Sequence, residues 1–154
     1  MSSKKSKGEI LLLNGPNLNL LGERNVEIYG TDTLKIIEQR LTKLAASAGF
    51  SLWAVQSNSE GELIDAVHAA RKRASALIIN PGAYSHTSIA IRDALDCFPG
   101  PIVEIHLSNI FKREEFRHHS FVSTVATAVI CGLGPSGYDT ALQAALELLD
   151  RKKK

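Results

Sequence analysis

Cysteine is scarce in this chain: two residues in 154, Cys97 and Cys131, separated by 34 positions and in no C-x-x-C pair. That excludes a disulfide framework and a thiolate metal site, and both thiols are expected to be buried or incidental. Apolar runs are short, and all fall below the roughly 20 residues of a membrane-spanning helix. The leading stretch MSSKKSKGE has lysines but no apolar segment before Ile10, so it lacks the core of a signal peptide, and the expected location is the cytoplasm. There is no H-E-x-x-H and no carboxylate cluster with metal spacing, so no metal is expected. Repeats, low-complexity segments and interdomain linkers are missing as well.

Positive charge is also lacking where it would matter. The formal net charge is +2. Yet Lys4, Lys5 and Lys7 lie in the leading tail, and Arg151 to Lys154 in the trailing one. Between Gly8 and Asp150 eleven basic residues face sixteen acidic ones, a net of −5. A nucleic-acid binder concentrates cations on its folded surface, so no nucleic-acid partner is expected, and the tails read as solubilising. Hydrophobic residues at 44% and charged residues at 22% are ordinary for a soluble globular chain. The expected organisation is one domain over residues 8–150, with basic, flexible tails at 1–7 and 151–154.

What is present is an alternation of strands and helices. Glu9–Asn14 (EILLLN) reads as a strand, and Gly15–Thr31 as a long loop. Thr33–Ala48 reads as a helix with Leu34, Ile37, Leu41 and Leu44 on one face, capped by Thr33 and ended by Gly49. Phe50–Gln56 is a second strand. Ser57 or Ser59 caps a helix running to about Arg73. Ala74–Asn80 is a third strand, Pro81–Tyr84 a tight loop, and His86–Cys97 a helix closed by Pro99-Gly100-Pro101. Ile102–His106 is a fourth strand and Lys112–Phe116 a helical turn. Val122–Cys131 is a fifth strand, and Tyr138–Asp150 the last helix. Apolar strands alternating with helices imply a parallel sheet buried on both faces. The expected fold is α/β, a flavodoxin-like three-layer sandwich with a five-stranded parallel sheet in the order 2-1-3-4-5.

Gly132-Leu133-Gly134-Pro135-Ser136-Gly137 matches the dinucleotide fingerprint G-x-G-x-x-G. Its position argues against nucleotide binding. The fingerprint belongs to a first strand-helix unit followed by another strand, whereas here only 17 residues remain after Gly137. The glycines are expected to serve a tight strand-to-helix turn.

In an open parallel sheet ligands bind beyond the carboxyl ends of the strands. The segments there are rich in polar groups: Asn14 to Gly30, Asn80 to Ser88, Leu107 to Asn109, and Arg113 to Ser120. Amides and hydroxyls suit a hydroxylated ligand, and arginine and backbone N–H groups suit a carboxylate or phosphate. Glu104 and His106 are two apart on one strand and so face the same side. A carboxylate beside an imidazole fixes its tautomer and favours its charged form, which makes His106 a candidate general acid. Each residue alone also has a plainer reading: Tyr29 as a packing aromatic, Arg24 and Arg117 as solvated charges, Asn17 and Asn80 as turn residues, Asp93 as a helix charge. His118, His119, His68 and Trp53 read as structural, surface or packing residues.

The ordered stretches NGPNLNLLG, Arg24…Tyr29-Gly30, QSNSEGELID, NPGAYSHTSIAIRDAL, EIHLSN, REEFRHHS and GLGPSGY together resemble type II 3-dehydroquinate dehydratase, from Ile10 to about Leu149. The resemblance implies a lyase that dehydrates 3-dehydroquinate to 3-dehydroshikimate by anti elimination through an enolate, in the shikimate pathway or in quinate breakdown. No cofactor is implied. It implies Tyr29 as base, Arg24 as its supporting cation, His106 as acid, Glu104 as the residue orienting it, and Asn17 as enolate stabiliser through a water. Asn80, His86, Ser108 and Arg117 match substrate-binding positions, with the backbone N–H groups of Leu107 and Ser108 holding the substrate carboxylate. Asp93 matches an acidic residue reaching a neighbouring subunit's site in a homododecamer built from trimers. A free phenol ionises near ~10, so a tyrosine base at neutral pH needs a cation that cannot lose its own proton, as arginine is. One departure is visible. Where the family commonly reads Arg-Glu-Pro, this chain reads Arg24-Asn25-Val26, without the stiffening proline.

Two other classes remain open. A receiver-type signalling module would place aspartates where Asn14 and Asn80 stand. A flavin-binding module would need a hydroxyl-rich phosphate loop that NGPNLNLLG does not supply. A relative that has lost catalysis would be supported by the altered loop alone.

Overall fold

A computed structural model describes residues 5–153. The expected flexible tails at residues 1–4 and at Lys154 lie outside the described residues. The backbone N–H of Lys7 donates to Gly49 O at 2.8 Å, and Lys152 Nζ donates to Pro99 O at 3.3 Å.

The strands are β1 (Glu9–Asn14), β2 (Ser51–Gln56), β3 (Ala76–Asn80), β4 (Ile102–His106) and β5 (Ala128–Cys131). They form one parallel sheet in the order β2-β1-β3-β4-β5, as the alternation requires. β1, β3 and β4 are buried almost end to end, while the edge strands β2 and β5 are partly open. Side chains alternate across a strand, and the core divides accordingly. Ile10, Leu12, Ile78, Val103 and Ile105 pack under α2 (Leu34–Ser47) and α5 (Gly137–Arg151). Leu11, Leu13, Leu77 and Ile79 pack under α3 (Glu60–Ala70) and α4 (Ile89–Asp96). Each fully buried aliphatic side chain stabilises the fold by roughly 1.5–3 kcal/mol.

Caps fix where the helices begin. Thr33 Oγ1 accepts from Ile36 N at 3.3 Å, Ser59 Oγ from Glu62 N at 3.3 Å, and Ser88 Oγ from Ile91 N at 2.9 Å. The cap at Ser88 shortens the third expected helix, and residues Gly82–His86 form a separate 3-10 turn. β5 is also shorter than expected. Residues Val122–Thr124 turn as a 3-10 helix, and the strand begins only at Ala128. Within the long first loop lies α1 (Val26–Tyr29), one turn with no buried residue and too short to show an apolar period. His68, expected to pack, is exposed on the outer face of α3. Trp53 is half-buried, with the Arg73 guanidinium 3.8 Å from its ring centre. Cys97 is exposed and Cys131 half-buried, and both are free thiols.

The glycine fingerprint serves the sheet. Gly132 N donates to His106 O at 3.2 Å and Gly134 N to Leu107 O at 2.9 Å, at positive φ values of 92° and 61°. This loop ties down the carboxyl end of β4, where the polar residues converge.

Candidate active site

A cavity of about 170 Å³ opens beyond the carboxyl ends of β1, β3 and β4. Its lining includes Asn17, Arg24, Tyr29, Asn80, His86, His106, Leu107, Ser108 and Arg117, so nine of the eleven residues singled out from the sequence meet in one place. Glu104 lies directly behind His106. Asp93 is elsewhere, exposed on α4 and ion-paired with Arg92 at 3.1 Å, and does not reach this chain's cavity.

β4 supplies the acid side of the site. Glu104 is fully buried and His106 nearly so. Glu104 Oε2 accepts from His106 Nε2 at 2.5 Å and from Ser120 Oγ at 2.8 Å, and Oε1 accepts from Ser123 Oγ at 2.7 Å. Burial pushes the Glu104 carboxyl upward. The bonds from His106, Ser123 and Ser120 outweigh it and hold the group below the ordinary carboxylate range. A second imidazole, His86, stacks on His106 with ring centres 6.3 Å apart and anchors its Nδ1 on His119 O at 2.8 Å. Burial lowers His86, the His119 carbonyl opposes that, and the nearby His106 and Arg117 lower it further. The charged form of His86 is thereby disfavoured next to its partner.

The long first loop supplies the opposite chemistry. Tyr29, at the end of α1, has the Arg24 guanidinium carbon 5.3 Å from its ring centre. Arg113, from the segment after β4, donates from Nη1 to the Tyr29 hydroxyl at 2.9 Å and also lies 5.6 Å from the ring centre. Two cations therefore flank one phenol, and both can stabilise its anion. Arg113 is the functional-site residue that sequence reasoning missed. Its only signal was its place at the head of the stretch REEFRHHS. Its backbone is held in turn by His118, whose Nε2 bonds Arg113 O at 2.9 Å.

Asn17 takes a left-handed conformation with φ 68°, tolerated by asparagine better than by most residues. Its N–H donates to Asn58 Oδ1 at 3.0 Å, leaving its own amide free to face the cavity. Asn80 ends β3. Its Oδ1 accepts from Gly82 N at 3.2 Å, and its Nδ2 donates to the buried hydroxyl of Tyr138 at 3.0 Å. The arrangement places a flanked phenol, a carboxylate-backed imidazole and the free amide of Asn17 around one small polar cavity, suited to moving a proton off and onto a hydroxylated acid.

Among the described residues no helix is long and apolar enough to cross a membrane, and no group of three or more histidine, cysteine or acidic residues is placed to hold a metal.

Residues 8–146 match the family model described as Dehydroquinase class II. A 3-dehydroquinate dehydratase of Pseudomonas savastanoi pv. phaseolicola is 57% identical over 146 residues, covering 94% of this chain and 97% of its own. The 3-dehydroquinate dehydratase 2 of Agrobacterium fabrum is 54% identical over 140 residues, covering 91% and 95%. Among solved structures, the type II dehydroquinase from Propionibacterium acnes is similar with a TM-score of 0.88 at 43% identity, covering 92% of this chain and 98% of that one.

Proposed function

The chain belongs to the class II dehydroquinase family, an enzyme of the 3-dehydroquinate dehydratase type, and on that premise we propose how its residues carry out the elimination. Tyr29, as phenolate, takes the proton from the carbon next to the substrate ketone. The electron pair moves into the ketone to give an enolate, which Asn17 steadies through a water. Collapse of the enolate breaks the C–O bond on the opposite face, and His106 gives its proton to the departing hydroxyl, releasing water. Tyr29 then returns its proton to solvent, and His106 regains one.

Arg24 and Arg113 stabilise the anionic phenol, Glu104 orients His106, and Asn80, His86, Ser108 and Arg117 hold the substrate. The backbone N–H groups of Leu107 and Ser108 bind its carboxylate. The same step serves aromatic biosynthesis and quinate breakdown, and we place this cytoplasmic enzyme in one of those two. The assembly in this proposal is a homododecamer built from trimers, in which Asp93 reaches a neighbouring site.

The observation that carries the reading is the 2.9 Å bond from Arg113 to the Tyr29 hydroxyl, in the same cavity as the His106–Glu104 pair. The test is turnover of 3-dehydroquinate, followed by the ultraviolet absorbance of the conjugated enone product. The wild type should turn over, and Tyr29→Phe should lose about 10²–10⁴-fold in kcat, the usual worth of a positioned base. Equal turnover in both would remove Tyr29 from its role. A silent wild type, folded and assembled, would refute the activity.

A further inference from the structure

Glu104 carries a charge in a place where nothing cationic except His106 touches it. It is fully buried, and among the described residues it has no lysine or arginine within ion-pair distance. An isolated buried carboxylate would take up a proton instead of staying ionised. What surrounds it is a set of three serines. Ser120 Oγ and Ser123 Oγ each donate to one carboxylate oxygen, at 2.8 and 2.7 Å. Ser85, fully buried on the 3-10 turn after β3, donates to Ser120 Oγ. That bond satisfies the Ser120 lone pair and commits the Ser120 proton to Glu104. The three come from two separate segments that close over β4, and none lines the substrate cavity.

We propose that Ser120 and Ser123, with Ser85 behind them, are positioning residues that hold Glu104 ionised, so that the shared proton of the Glu104–His106 pair stays on the imidazole ring. The proposal rests on the reading of His106 as the acid. With the shared proton on the ring, Glu104 is the ionised partner and the second ring nitrogen presents a usable proton. With Glu104 protonated, the ring is neutral and a much poorer acid. Two serine hydroxyls therefore decide the acid strength of a group that neither of them touches.

The other charged groups near the pair are fixed as well. On the 3-10 turn Gly82–His86, His86 stacks on His106, and burial disfavours its charged form. Arg117, on the 3-10 turn Glu115–Arg117, is paired with Glu114 at 2.8 Å. Neither replaces a serine donor to Glu104.

The experiment is the pH profile of kcat for wild type, Ser123→Ala, Ser123→Thr and Ser120→Ala, with 3-dehydroquinate as substrate. A hydrogen bond to a charged group that is worth ~1.4 kcal/mol or slightly more corresponds to about one pH unit. The acid limb of Ser123→Ala should therefore move up by about one unit, and Ser123→Thr, which keeps the hydroxyl, should restore it. A merely structural serine would scale the whole profile down and leave the limb in place, and that result would overturn the proposal. Ser123 is half-buried and its truncation small; should Ser120→Ala fail to fold, Ser123→Ala and Ser123→Thr decide alone. Nitrogen-15 spectra of the histidines give an independent reading: the His106 imidazolium signal should be lost at a lower pH in Ser123→Ala than in wild type, and loss at the same or a higher pH in the variant would also overturn the proposal. A silent wild type would refute the dehydratase activity, whereas an active wild type with an unmoved limb would refute only the serine role.

Discussion

Tyr138→Phe removes one oxygen atom and should cost more than its size suggests. Tyr138 is fully buried under α5, and its hydroxyl donates to Asn14 Oδ1 at 2.6 Å while accepting from Asn80 Nδ2 at 3.0 Å. Asn14 and Asn80 are register partners at the ends of β1 and β3, so one phenol joins two strands at the edge of the cavity. Burial drives the Tyr138 phenol far above its ordinary range, so it stays neutral and keeps donating at any workable pH. Asn14 Nδ2 is already without a hydrogen-bond partner among the described residues, so Asn14 has no second contact to fall back on. In Tyr138→Phe two buried polar groups lose their partner, at about 1–3 kcal/mol each. Partial relaxation brings the expected loss to about 3 kcal/mol. For a domain of this size that lowers Tm by roughly 6–12 °C. Calorimetry at one fixed protein concentration measures it. Because Asn80 lines the cavity, KM should rise while kcat changes less. A melting temperature within 2 °C of wild type, together with an unchanged KM, would refute the accounting.

Gly30→Ala should separate loop from core. Gly30 sits at φ 81° and ψ −177°, a region nearly closed to other residues, and an added Cβ would lie 3.0 Å from Pro135 Cγ. Because α1 has no fully buried residue, Tm should hold while kcat/KM falls about ten-fold, and a large drop in Tm with intact kinetics would contradict this placement. Acid should weaken the fold in two stages. His86 is lowered, so its contribution is full above its ordinary value of 6.5 and declines as pH falls through its folded value. Glu104 is also lowered, so its contribution is full above 4.5 and is lost at still lower pH. Urea titrations should show stability falling from pH 7 towards 5 in wild type and a flatter slope there in His86→Gln; identical slopes would remove His86 from the account.

How much of this was legible in sequence depends on what each residue had to satisfy. β1 and β4 were readable to their last residues, Glu9–Asn14 and Ile102–His106, because a strand buried on both faces carries a dense run of apolar residues, which the turn residues Asn14-Gly15 and Pro99-Gly100-Pro101 bound. β5 was overextended because Val122 and Val125 continue the apolar pattern, while Ser120 and Ser123 leave it to reach Glu104, a partner 16 to 19 positions away that no local pattern encodes. The four residues of α1 were invisible for lack of a full period. His106 and Glu104 were found as site candidates from their spacing on one strand, whereas Tyr29 and Arg24 were found only through the ordered motifs. Arg113 was one charge among several, and only the folded chain brings it to a phenol 84 positions earlier.

The helix that carries Tyr29 is a single turn, too short to persist by itself, and none of its residues is fully buried, Tyr29 packing against the core while partly open. Its attachment to the body runs through the phenol it delivers, by way of Arg113, and through the glycine that rests on Pro135. The proposed base is thus also the latch. Any movement that lifts the loop to admit or release a ligand separates the phenol from Arg113 and takes that cation away from it. In the proposed reaction the base is armed only with the door shut, and an open enzyme carries no exposed, activated phenolate into water.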